Sequence, residues 1–267
     1  MYFYDCPEAH DLLFTEQYEN AEFEFFKQAF KDFPVRNVLD CTVGTGIHLI
    51  PFARMGCTVT GTDINRHMLG QCRKNFAKRN LVPQLEKTDI LELSKKVSRQ
   101  FDAVLSTGNS IGHLKPDQLR KGLEEMDKVL KPGGVLYFDS RNWDLILERK
   151  QRFYLFNPIL RDKGRVNYLQ LWDYNKNGSV TTNYLIFEEV ENKIVSKRQF
   201  YTIYYPFKLE DVYSFLKEMG YDNIRFFKFG DMSVTDPKKT DWYCIQAVKP
   251  LKITESEKPK KKFLFGL

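Results

Sequence analysis

The stretch with the most chemical promise is Val38–Asp63, VLDCTVGTGIHLIPFARMGCTVTGTD. Gly44 and Gly46 follow one apolar run, and Asp63 ends the next, nineteen residues beyond Gly44. Glycine lacks the Cβ that would hold a ligand off the backbone, and it permits the sharp bend by which a strand gives way to a helix. A carboxylate that far downstream is placed to accept hydrogen bonds from the hydroxyls of a ribose. A nicotinamide dinucleotide usually requires a third glycine as well, so that the helix can bring its positive end against the pyrophosphate. Leu49 stands at that position. S-adenosylmethionine has a ribose and an adenine but no phosphate, so a larger residue there is harmless to it.

These residues need a scaffold, and the flanking pattern supplies one. RNVLDC, CTVTGTD, PQLEKTDI, FDAVLSTG and GVLYFDSRN read as strands, with helices expected over Phe23–Phe33, Gly46–Met55, Asn65–Lys78 and Pro116–Leu130. Such alternation indicates right-handed βαβ crossovers and a parallel sheet covered on both faces. Beyond Glu148 the chain alternates apolar and polar residues, with turn signals at Asn175–Gly178 and Glu191–Asn192. That is the pattern of an antiparallel meander. A helix over Leu209–Met219 capped by Gly220, then NIRFFKFG and DWYCIQAV, completes the chain's regular structure. The expected fold class is α/β: a doubly wound, mostly parallel, seven-stranded Rossmann-like sheet with an antiparallel β insertion between the fifth and sixth strands. The expected division is an N-terminal cap segment (residues 1–34), a core (35–149 and 206–249), the insertion over the substrate site (150–205) and a mobile basic tail (250–267).

Composition is consistent with a globular protein and argues against several classes. With 42% hydrophobic and 15% aromatic residues there is ample material for a core. No apolar run reaches the roughly 20 residues that span a bilayer, and the first residues lack a secretory pattern, so a cytoplasmic location is expected. Cys6, Cys41, Cys57, Cys72 and Cys244 are odd in number, scattered and never spaced Cys-x-x-Cys, which argues against a disulfide framework and a zinc site. From Lys249 onward six lysines face two glutamates, so most of the net charge of +6 sits in the tail and the body is nearly balanced.

Further features converge on one ligand. Asp89 and Ile90, at the end of the third strand, can meet the adenine amino group and cover its face. The fourth strand opens into STGNSIGHL, and the turn LKPGG leads into the fifth. Together LDCTVGTG, GTDIN, KTDI, FDAVLSTGNSIGHL and VLKPGGVLYFDSRNWD resemble the class I S-adenosylmethionine-dependent methyltransferases over most of residues 35–248. Within that family the nearer likeness is to glycine N-methyltransferase and the glycine/sarcosine methyltransferases. Like them, the chain lacks the early glycine of Asp-x-Gly-x-Gly-x-Gly, and it carries GNSIGHL, RNWD and YYP after the fourth strand, the fifth strand and the insertion.

The resemblance implies that Asp40, Thr42, Gly44, Gly46, Asp63, Ile64, Met68, Asp89, Ile90 and Thr107 hold S-adenosylmethionine, which leaves as S-adenosylhomocysteine. It implies that Asn109 and Arg141 hold the carboxylate and amine ends of an amino-acid substrate, with Tyr184 and Tyr204 over the active site. Arg141 offers a planar fork of donors matched to a carboxylate. Asn109 can accept from an amine or donate to a carboxylate. The bland alternatives are a helix cap for Asn109, a surface ion pair for Arg141, and core packing for the tyrosines and Trp143. His113 is read as a structural hydrogen bonder with no cluster among the other three histidines.

The expected chemistry is in-line methyl transfer to a neutral amine, in which the protein's main task is alignment and no metal is needed. Relatives often place an arginine near the first helix to meet the cofactor's carboxylate, whereas TEQYENAEF has Glu19 and Asn20 there. Tyr2, Tyr4 or Tyr18 is expected to cover the cofactor. The expected partner is a small amine or amino acid, with no membrane partner and an oligomer allowed. Alternative acceptors are a sugar amine or a phenolic natural product, since fold does not fix substrate. An RNA-modifying role through the tail ranks lower, because the body shows no interleaved basic and aromatic groove.

Overall fold

The computed structural model describes residues 1–251, so the basic tail from residue 252 onward lies outside the described residues. Twelve strands are described: β1 (Asn37–Asp40), β2 (Thr58–Asp63), β3 (Gln84–Lys87), β4 (Phe101–Ser106), β5 (Leu130–Arg141), β6 (Phe153–Leu155), β7 (Ile159–Arg161), β8 (Gly164–Tyr174), β9 (Val180–Val190), β10 (Lys193–Tyr204), β11 (Ile224–Lys228) and β12 (Trp242–Val248). Among them run helices α1 (Pro7–Asp11), α2 (Glu16–Ala29), α3 (Ile50–Arg54), α4 (Arg66–Ala77), α5 (Leu93–Lys96), α6 (Pro116–Lys128), α7 (Trp143–Arg149) and α8 (Leu209–Glu218).

Seven strands form one sheet in the order β11-β12-β5-β4-β1-β2-β3. β1 to β5 are mutually parallel, and β12 runs antiparallel to both of its neighbours. The expected doubly wound, Rossmann-like sheet is thus present. Successive strand residues point to opposite faces, and the pleat divides the core accordingly. Val38, Ala103, Leu105, Val135 and Tyr137 pack with α2, α3 and α4 on one face, while Leu39, Val104, Leu136 and Phe138 pack with α6, α7 and α8 on the other.

Helix boundaries differ from the periodicity in two informative places. α2 begins at Glu16, where the Thr15 hydroxyl accepts from the Tyr18 amide (3.3 Å), and ends at Ala29 rather than Phe33. Its first turns carry little apolar patterning because they are fixed by polar partners instead, Glu19 to Arg79 and Glu22 to His48. The helix expected from Gly46 is confined to Ile50–Arg54. Gly44 (φ +53°) and Gly46 (φ +81°) lie in the left-handed region, so the chain turns through Gly46–Leu49 before it becomes helical.

The segment between β5 and β11 contains a second, antiparallel sheet in the order β10-β9-β8-β6, with β7 also paired to β8. Its turns fall at the expected signals, with Gly178 at φ +83° and Glu191 and Asn192 also at positive φ. The N-terminal residues lie against this sheet. Phe3 stacks on Tyr184 with ring centroids 4.0 Å apart, and Tyr2 bridges to Tyr201 beside β10. The same segment is tied to the main sheet's helices, because Asn75 and Gln71 of α4 both donate to Asp11. No helix among the described residues is long and apolar enough to cross a membrane.

Candidate active site

A cavity of about 320 Å³ opens at the carboxyl ends of β1, β2 and β4, where a doubly wound sheet binds its ligand. Thr42, Gly44, Asp63, Ile64, Met68, Asp89, Ile90 and Thr107 line it, as do Tyr2 and Tyr4 from the N-terminal segment. The Asp63 carboxylate is held from two sides, accepting from the Gly44 amide (2.9 Å) and the Asn65 amide (2.8 Å). Burial raises its pKa, and those two backbone bonds oppose the rise. Asp89 accepts from the Leu91 amide (2.9 Å) as it caps a short turn.

Two residues expected to touch a ligand here are placed otherwise. Asp40 is fully buried and lines neither cavity; it accepts from the Thr107 hydroxyl (2.6 Å) and the Thr42 amide (3.0 Å). Burial lifts its pKa to about 6 even so. Its carboxylate braces the ends of β1 and β4 against each other. Gly46 is a packing position, since a Cβ there would stand 2.5 Å from Cys72 Sγ and 2.9 Å from the Phe76 ring.

A second cavity of about 350 Å³ adjoins the first, walled largely by aromatic side chains. Arg141, Tyr184 and Tyr204 line it together with Tyr4, Tyr18 and Trp242. The Arg141 guanidinium lies 4.8 Å from the ring centroids of both Trp172 and Trp242 and 5.5 Å from that of Tyr154. It donates once, to Gln170 (3.3 Å), while its Nε is buried without a partner. It makes no ion pair with a described acidic side chain. A desolvated guanidinium in that state favours an incoming anion.

Tyr184, Tyr204, Tyr4 and His113 form one hydrogen-bonded chain with a defined direction. His113 Nδ1 faces the Ile203 carbonyl (2.8 Å) and must donate to it, so Nε2 accepts from the Tyr4 hydroxyl (2.8 Å). Burial lowers the His113 pKa to about 4, which keeps the ring neutral. Tyr4 then accepts from Tyr204 (3.4 Å), and Tyr204 from Tyr184 (3.1 Å). Every phenolic proton in the chain is thereby spent inward, leaving oxygen lone pairs to face a ligand.

Asn109 departs from its expected position. It lines neither cavity, and its Oδ1 accepts from the Ser140 hydroxyl (2.9 Å) and from the Arg141 amide (3.0 Å). It sits at φ +62°, a conformation asparagine tolerates better than most residues, so it latches the β4 turn onto the end of β5. Trp143 is buried in the core against Trp172 and Tyr204.

The two cavities share Tyr4, His10, His48 and Gly108 as lining. Three of the four histidines line the first cavity, because α1 and the turn after Gly46 bring His10 and His48 to the wall it shares with the second, while His113 lines the first cavity alone. Burial pulls the His48 pKa down, but the charge and hydrogen bond of Glu22, with Asp139 and Asp40 behind, raise it to about 9. Asp139 accepts from the Gly108 and Asn109 amides (both 3.0 Å) and the Trp242 indole (2.8 Å). The available sequence signal was His48 itself, two residues beyond Gly46, but its Glu22 partner comes from another element.

Residues 38–134 match the family model described as a methyltransferase domain. The chain is 35% identical over 130 residues to the glycine/sarcosine N-methyltransferase of Aphanothece halophytica, covering 48% of this chain and 49% of that protein. It is 38% identical over 122 residues to glycine N-methyltransferase of Rattus norvegicus, covering 41% and 42%. These matches thus span about half the length, or less, of the relatives. Among solved structures, an S-adenosylmethionine-dependent methyltransferase from Clostridium acetobutylicum superposes with a TM-score of 0.71 at 20% identity, over 92% of this chain and 96% of that one. The amino pentose methyltransferase CalS10 from Micromonospora echinaspora gives 0.69 at 18%, over 93% and 98%. Residues 38–134 are thus similar to a methyltransferase domain, and the chain shares the fold of these two solved structures.

Proposed function

We propose that the protein is an S-adenosylmethionine-dependent N-methyltransferase acting on a small amine that bears a carboxylate, in the manner of a glycine- or sarcosine-like amino acid. The observation that carries this reading is Arg141: a buried guanidinium with no acidic partner among the described residues, in a cavity that adjoins the glycine-turn cavity through Gly108. The glycine-turn cavity fits the cofactor. Asp63 meets the ribose hydroxyls, Asp89 meets the adenine amino group, and Ile64, Met68 and Ile90 cover the base. Two carboxylates on the wall and only a five-residue helix after the turn argue against a diphosphate. Thr42 and Thr107 complete the wall, and Asp40 and Gly46 shape it from behind.

When bound, S-adenosylmethionine supplies a methyl group activated on a sulfonium. The chain's own part is to orient the acceptor. Arg141 takes the carboxylate, and the lone pairs of Tyr184 and Tyr204 accept from the amine N–H groups and hold the nitrogen toward the shared wall. Such alignment is worth up to about 7–11 kcal/mol in well-oriented reactions. The aromatic enclosure excludes water and disfavours the ammonium form, so the nitrogen keeps its lone pair. In this arrangement residues 35–149 and 206–249 hold the cofactor, and residues 1–34 with the 150–205 sheet cover the acceptor. The similarity to glycine/sarcosine N-methyltransferases supports the acceptor class.

The test is a product screen by mass spectrometry with glycine, sarcosine, dimethylglycine, plain amines and amino sugars. A carboxylate-bearing amine is expected to turn over fastest. Arg141→Ala should raise KM for that acceptor by about 10–100-fold, the worth of a charge-assisted bidentate contact, and change KM for a plain amine much less. Equal effects on both acceptors, or preference for an amino sugar, would remove the carboxylate role.

A further inference from the structure

We infer that the His48 ring, held by Glu22, receives the carboxylate of the cofactor's methionine moiety, in place of a basic side chain from α2. The inference rests on the reading that the glycine-turn cavity takes S-adenosylmethionine. With adenine at Asp89 and ribose at Asp63, the amino-acid end of that molecule reaches the wall shared by the two cavities. No lysine or arginine lines the glycine-turn cavity among the described residues. Three histidines do, and their partners distinguish them. His113 spends both nitrogens, on Ile203 and Tyr4. His10 turns its Nδ1 toward Asp11 (3.5 Å) and Thr45 (3.4 Å).

His48 is different. Its Nδ1 is fixed by Glu22, whose side chain is 2% exposed, and Nε2 has no hydrogen-bond partner among the described residues. That nitrogen lies beside Gly108, where a Cβ would come within 3.3 Å of it, so a glycine keeps its approach open. Gly108 lies on the shared wall. A carboxylate behind an imidazole fixes which nitrogen carries the outward proton and sustains the cation, so Nε2–H becomes a charged donor. The raised pKa of His48 agrees with this. On α2, Glu19 is occupied by Arg79, which does not line the cavity. Glu22 thus lets α2 act on the cofactor's carboxylate through His48 rather than directly.

Calorimetry with two nucleosides tests the assignment: S-adenosylhomocysteine, which has the carboxylate, and 5′-methylthioadenosine, which lacks the amino-acid end. His48→Phe is made in a Glu22→Gln background, so that no buried carboxylate is left unpaired. The double variant should bind S-adenosylhomocysteine about 10–100-fold more weakly than the parent while binding 5′-methylthioadenosine within about 2-fold. Glu22→Gln alone should give a smaller loss of the same selectivity, and it carries the test if the double variant does not fold. Asp63→Ala should weaken both nucleosides together. Unchanged selectivity between the two nucleosides in the His48 and Glu22 variants would overturn the inference. A parent protein that binds neither nucleoside would overturn the cofactor reading itself.

Discussion

The two adjoining cavities are built on opposite principles. The glycine-turn cavity is made mainly by the ends of parallel strands, with Tyr2, Tyr4 and His10 added from the N-terminal segment, and backbone geometry dominates it: left-handed glycines, an aspartate clamped by two amides, and turns capped by their own side chains. The aromatic cavity is assembled from side chains of distant segments, namely the N-terminal residues, the end of β5, the inserted sheet and β12. Its tyrosine hydroxyls and its guanidinium are held by other side chains, through the Tyr184–Tyr204–Tyr4–His113 chain and the Gln170–Arg141 contact. A backbone-built site tolerates little change of shape. A side-chain-built site can alter its specificity one residue at a time while the fold persists.

That contrast can be broken or sharpened by substitution. The largest effect is expected for Gly46→Val, which drives a branched side chain into Cys72 and Phe76 at positive φ. Overpacking and backbone strain together should cost about 3–5 kcal/mol, read as loss of thermal stability. A well-tolerated Gly46→Val would mean that the turn is not fixed by its backbone. Next comes Asn109→Ala, which leaves the buried Arg141 amide without its acceptor and the Ser140 hydroxyl with only the Arg141 carbonyl (3.0 Å). A loss of about 2–4 kcal/mol is expected, and Asn109→Gly should recover only the part due to φ. If Asn109→Ala instead melts like the parent and only raises KM, Asn109 is a substrate ligand and not a latch.

The smallest effect is in pH dependence, where histidines of the two networks move oppositely. His48 binds its proton more tightly folded than unfolded, so its contribution is full below about pH 6.5 and is lost as pH rises through about 9. His113 disfavours the proton in the fold, so its contribution holds above about 6.5 and is lost as pH falls toward 4. Asp40, raised to about 6, opposes His113 across part of that acid range, which leaves the alkaline limb as the cleaner readout. Thermal melts from pH 7 to 9.5 should show a decline in the parent that is blunted in Glu22→Gln. A flat parent profile would mean that the ring is not held as a cation.

The sequence by itself determined the main sheet, the glycine turn, Asp63 and Asp89, because each depends on local rules: alternating periodicity, backbone freedom at glycine, and a strand end that must face the crevice. The same locality located the hairpin turns of the inserted sheet, at Gly178 and at Glu191–Asn192. Arg141 was legible as a residue type, but its enclosure by Trp172, Trp242 and Tyr154 depends on three separate segments meeting. Only the tertiary structure decided that Asn109 turns inward, that His48 is paired with Glu22, and that His10, His48 and His113 line one cavity. The physical reason is that a polar side chain's role follows from what is left to bond with it after the backbone has packed. That remainder is set by contacts between residues far apart in the chain, which neither spacing nor periodicity records.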